Sequence, residues 1–123
     1  RDGKNVRKIT NSPDYNDLLP QWMPDGRHIV FSRLLYAKKW ADNGLGEIYI
    51  LEIETGALKP ITFSSSDERL AVPSPLGDEF LITISVPNVG TTVYRASWDG
   101  ERLGDLVDFS YATSLPAWRP RLE

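Results

Sequence analysis

The sequence predicts an all-β fold: two copies of a four-strand unit, with one further strand at each end. Three observations carry that reading. The first is internal repetition. Val6-Arg7-Lys8-Ile9-Thr10 returns as Leu58-Lys59-Pro60-Ile61-Thr62 and, more loosely, as Leu103-Gly104-Asp105-Leu106-Val107. Pro20-Gln21-Trp22-Met23-Pro24-Asp25-Gly26 returns as Ala71-Val72-Pro73-Ser74-Pro75-Leu76-Gly77, then as Leu115-Pro116-Ala117-Trp118-Arg119-Pro120. Glu54-Thr55-Gly56 matches Trp98-Asp99-Gly100 and Arg1-Asp2-Gly3. Landmarks recurring in one order mark a repeat architecture. The second is that the apolar runs are short and rich in β-branched and aromatic residues, with no 3.6-residue period. The third is the turn chemistry between them, where Gly accepts positive φ and Asp bonds its own backbone.

Taken in order, Val6–Thr10 is expected as an isolated outer strand. A first unit spans about 19–62, with His28-Ile29-Val30-Phe31-Ser32 and Glu47–Ile53 as its middle strands around the turns Pro24-Asp25-Gly26 and Thr55-Gly56. A second spans about 70–109, with Phe80–Val86 and Thr91–Trp98 around Leu76-Gly77-Asp78 and Asp99-Gly100. Leu115–Trp118 opens a third. Four short antiparallel strands in about 45 residues are the signature of a propeller blade. Both faces of the middle strands carry bulk, as Ile48 and Ile50 against Tyr49 and Leu51, which suits a sheet covered on both sides.

Trp22-Met23-Pro24-Asp25-Gly26-Arg27-His28-Ile29-Val30-Phe31-Ser32 resembles the PD40 (WD40-like) repeat of TolB-type β-propellers, and Arg7-Lys8-Ile9-Thr10 resembles that family's outer-strand ending. The second copy departs from the pattern: it lacks the aromatic and carries its acid at Asp78. The third stops before its Asp-Gly. The resemblance implies a fold, with Trp22, Pro24, Asp25, Gly26, Pro75, Gly77, Trp118 and Pro120 as structural positions. It also implies a bacterial, extracytoplasmic (periplasmic or surface) setting. Families sharing such a scaffold differ in function.

Propellers close with roughly four to eight blades, so two blades imply a segment of a larger ring or a ring assembled from several chains. Strands 6–10 and 115–118 lack blade partners of their own within the sequence, which favours a segment. The 123 residues carry 14 basic and 17 acidic side chains, and this net charge of −3 argues against a nucleic-acid partner. With no Cys and one His, thiolate chemistry and multi-His metal sites are excluded. No apolar run is long enough for a membrane helix. No cofactor is expected.

Function is sought on loops held by the scaffold. From Gly26 to Gly56 is thirty residues, and from Gly77 to Gly100 twenty-three; the extra seven fall within Arg33–Gly46. That insertion carries Tyr36, Lys38, Lys39 and Trp40, read either as an interface for a protein partner or as an extended hairpin packing on its own blade. The same aromatics would suit a carbohydrate. Asp14-Tyr15-Asn16-Asp17 is expected as a polar, turn-capping loop too sparse for calcium. His28 is expected at the surface, and Asp67-Glu68 and Asp78-Glu79 in loops. The reading is a non-catalytic binding scaffold, with the propeller portion of a larger peptidase or polysaccharide lyase as the alternative.

Overall fold

A computed structural model of the chain describes residues 2–11, 13–35, 46–62, 66–86, 88, 90–109 and 118. They form eight strands and no helix: β1 Tyr15–Trp22, β2 His28–Leu35, β3 Gly46–Glu52, β4 Leu58–Pro60, β5 Asp67–Pro73, β6 Glu79–Val86, β7 Gly90–Ser97 and β8 Arg102–Phe109. They make two antiparallel four-stranded sheets, β1-β2-β3-β4 and β5-β6-β7-β8, each in sequence order. The chain is all-β, and its two sheets fit blades of a partial, propeller-like fold.

The turns justify the strand ends. After β1, Gly26 donates to the Met23 carbonyl while Asp25 accepts from the Arg27 and His28 amides at 2.8 and 3.1 Å. After β5, Gly77 donates to the Ser74 carbonyl, and the Ser74 hydroxyl binds Asp78 at 2.6 Å. The acid has moved from just before the glycine to just after it, and a serine completes the same reversal. Gly26, Gly56, Gly77 and Gly100 all lie at positive φ, where a side chain is strained.

Three expectations need correction. Residues 6–10 form no strand, because no ladder partner for them lies among the described residues. Their place is nonetheless repeat-like: Arg7 reaches the Ile53 carbonyl at 3.4 Å, as Lys59 reaches Asp99 at the same distance in the next unit. The inner strands begin at Tyr15 and Asp67, earlier than 19 and 70, so Tyr15–Asp17 and Asp67–Glu68 are strand and not loop. Both ladders contain a bulge, between Leu18 and Gln21 and between Glu68 and Leu70, which hides the alternation from the sequence. In the first, Pro20 has no N–H to give the ladder. Glu79, finally, opens β6 and binds the Arg95 guanidinium through two hydrogen bonds of 2.6 and 2.9 Å.

The sheets pack head to tail. The main core joins Met23, Val30, Ile48, Ile50 and Ile61 of the first unit to Ala71, Phe80, Ile82, Ile84, Tyr94 and Ala96 of the second. By ladder register, Phe80, Ile82 and Ala96 correspond to Ile29, Phe31 and Leu51. Those three form a separate cluster on the opposite face of the first sheet. Each unit therefore presents one face backward and the other forward. Close approaches seal the joint: the Ser32 hydroxyl donates to the Glu68 carbonyl at 3.1 Å, and the Gly46 amide to Asp67 at 2.8 Å. A Cβ at Gly46 would collide with the Glu68 carbonyl oxygen.

Candidate functional site

Two clefts of nearly the same size occupy repeat-equivalent places. The first, about 300 Å³, lies between the sheets against Ile61, Thr62, Glu68, Tyr94, Gly100 and Arg102. The second, about 320 Å³, lies on the backward face of the first sheet against Ile9, Thr10, Tyr15, Arg33, Gly56 and Leu58. Ile9 and Thr10 match Ile61 and Thr62; Gly56 and Leu58 match Gly100 and Arg102. Each cleft forms where an Ile-Thr segment crosses the next sheet beside a glycine turn.

The chemistry of the two also corresponds. Asp17 pairs with Arg33 across the first sheet, and Glu68 holds the same register position opposite Ile84 in the second. Tyr49 and Tyr94 are likewise equivalent. The guanidinium of Arg33 lies 4.9 Å from the Tyr49 ring, and that of Arg102 lies 4.6 Å from the Tyr94 ring. Each site thus combines an acid, a tyrosine and an arginine, but the arginine comes from the second strand in one unit and the fourth in the other. The positions trade places: Arg33 with Leu58, Ile84 with Arg102.

In the first unit Arg33 grips Asp17 through Nε at 2.7 Å and Nη2 at 2.9 Å, and is walled by Tyr15, Phe31 and Tyr49 within 5.4 Å. Partial burial pulls the Asp17 carboxyl upward. Hydrogen bonds from Arg33 and Thr10, with the arginine's charge, outweigh it and hold the pKa below the usual carboxylate range. The Asp17 hydrogen bonds raise that of Arg33. In the second unit Glu68 is 1% exposed. Burial, with the Glu68 charge adding to it, pushes the Tyr94 phenol up to about 12. Each shift holds its group in its ordinary ionisation state at neutral pH.

His28 is half-buried: its Nδ1 lies 2.6 Å from the Asp25 carboxylate, and its ring meets Trp98 edge-on at 5.3 Å. Trp22 ends β1 with its side chain largely exposed, and the Pro24 ring touches the Gly77 turn. Pro75 is exposed in that turn. The Trp118 indole N–H donates to the Val72 carbonyl at 2.9 Å. Tyr36, Lys38, Lys39, Trp40 and Pro120 lie outside the described residues. The expectation at Asp14–Asp17 changes, since Asp17 is committed to Arg33 within a strand. Sequence reasoning missed Glu68 and Tyr94. Their signal was the register match to Asp17 and Tyr49, which the bulges concealed. Among the described residues no helix is long and apolar enough to cross a membrane, and no group of three acidic or His side chains could hold a metal ion.

No protein-family model matches this chain, and no curated protein matches it either.

Proposed function

We propose that this chain is a non-catalytic binding scaffold, two blades of a TolB-like propeller whose loop end engages a protein partner. The carrying observation is the head-to-tail packing of two repeat-equivalent sheets. In each, an acid and a tyrosine at matching register positions stand with an arginine beside the cleft, and in the first unit Asp17 and Arg33 hold each other in their charged forms. Open-ended stacking of like units builds a rigid platform on which connecting loops can diverge. The seven-residue insertion within Arg33–Gly46 is where the first unit diverges, and its Tyr36 and Trp40 are anchors of the kind found at interfaces. An extracytoplasmic setting belongs to the same proposal.

The test uses photo-crosslinking side chains at positions 36 and 40 in the source cell. The expected result is a discrete adduct with another protein, lost in the double variant Tyr36→Ala, Trp40→Ala while thermal unfolding is unchanged. A clear drop in melting temperature would place the two rings against their own sheet and overturn the interface.

A further inference from the structure

The cleft between the two sheets places its acid and its arginine differently from the cleft of the first unit. In the first sheet Asp17 and Arg33 stand on neighbouring strands and bind each other directly. In the second, Glu68 is on β5 and Arg102 on β8, the outermost strands, about 14 Å apart at ordinary sheet spacing. Ile84 and Tyr94 lie on the two strands between, and the Arg102 guanidinium reaches back as far as the Tyr94 ring. Glu68 is buried whereas Arg102 is exposed, so the negative end is the inner one.

Tyr94 supplies an independent observation. It is 5% exposed and lines the cleft, yet among the described residues its hydroxyl has no hydrogen-bond partner. Buried hydroxyls are ordinarily hydrogen-bonded, so this one points to a group that the chain itself does not supply. The phenol, with its pKa pushed up to about 12, stays protonated and can both donate and accept. Thr62, in the same wall, is already committed: it accepts from the Ile48 amide at 2.9 Å and donates to Glu47.

These features select a ligand. A molecule between a carboxylate and a guanidinium is held best if it carries both signs of charge. Each end has room for a further bond beside the partners it holds, since a carboxylate offers about four acceptor sites and a guanidinium five donors. Ile61 and Ile84 give the cleft an apolar wall, and its volume of about 300 Å³ suits a small molecule. We propose that the cleft binds a free α-amino acid with an aliphatic side chain, its ammonium on Glu68 and the Tyr94 hydroxyl, its carboxylate on Arg102, and its side chain against Ile61 and Ile84. Two carboxylates, Glu68 and Glu47, and one guanidinium act on the phenol, which favours the ammonium at that end. The site is additional to the scaffold reading and needs no protein partner at the insertion.

Backbone amide chemical shifts of the whole chain, titrated with L-leucine, test this. Isoamylamine and isocaproate serve as the same skeleton lacking the carboxylate or the amine. Leucine should give saturable shifts at Thr62 and Gly100, and each analogue should bind roughly tenfold more weakly or worse. Tyr94→Phe should weaken leucine roughly tenfold without lowering the melting temperature. Arg102→Gln, at an exposed side chain, should remove the advantage of leucine over isoamylamine. No saturable shift at these amides, equal binding of leucine and isoamylamine by the wild type, or leucine binding indifferent to Tyr94→Phe overturns the site. Crosslinking at positions 36 and 40 bears on the protein partner alone, so the two proposals fail separately.

Discussion

The two clefts are built from matching positions of one repeat and are nearly equal in size, yet one lies between two sheets and the other on the face of one. The inter-sheet cleft has a complete sheet on each side, and its glycine turn is pressed onto Ile61. The other cleft is lined on that side by Ile9, Thr10, Asn11 and Pro13, and its glycine turn meets nothing. The acids show what this does. Glu68 sits in a wall shared by two sheets, and its negative charge reaches the Tyr94 phenol. Asp17 is held by an arginine on the neighbouring strand, a pairing that needs no second sheet. Local pairing secures the first carboxylate; the sheet interface surrounds the second.

The largest difference between the two units is expected at the glycine turns. Gly100→Ala should cost about 2–5 kcal/mol, the sum of positive-φ strain and overpacking against the Ile61 carbonyl. Gly56→Ala, at a similar φ in open space, should cost about 1–2 kcal/mol from strain alone. Urea denaturation of both variants checks the gap, and equal losses would mean the two turns are not packed differently.

Next come the exchanged arginines. Arg33→Ile should cost about 3 kcal/mol, because it leaves Asp17 partly buried without its cation. Adding Leu58→Arg recreates the second unit's arrangement and should restore about 1 kcal/mol. A double-mutant cycle reads this directly, and strict additivity would show that the exchange is coincidental.

The smallest effect is the response to acid. The folded pKa of Asp17 lies below its unfolded value, so the group contributes stability that is full above the unfolded value. That contribution is lost as pH falls through the folded one. Asp17→Asn should therefore flatten stability against pH at the acidic end by about 1 kcal/mol. Stability measured by urea at successive pH values checks it.

Much of the fold was legible because turns are local. Pro24-Asp25-Gly26 and Asp99-Gly100 encode their own hydrogen bonds and positive φ within a few residues, so strands β2, β3, β6 and β7 fall close to where composition and turns place them. The inner strands were less legible. A bulge breaks alternation, so Tyr15–Asp17 and Asp67–Glu68 read as polar loops although both runs are strand. The clefts were not legible at all. Arg33 and Leu58 are twenty-five positions apart, and only ladder register shows that their characters are exchanged in Ile84 and Arg102.

The all-β class, the two-unit repeat and the turn positions follow from the order of residues, since each depends on short-range backbone preference and periodicity. Which face of each sheet meets the other, where the carboxylates end up, and why Trp22 stays exposed were decided by tertiary structure. Burial depends on what lies opposite, and both faces of these strands are apolar enough to be covered. Packing direction alone distinguishes the face that meets the other sheet from the face that does not.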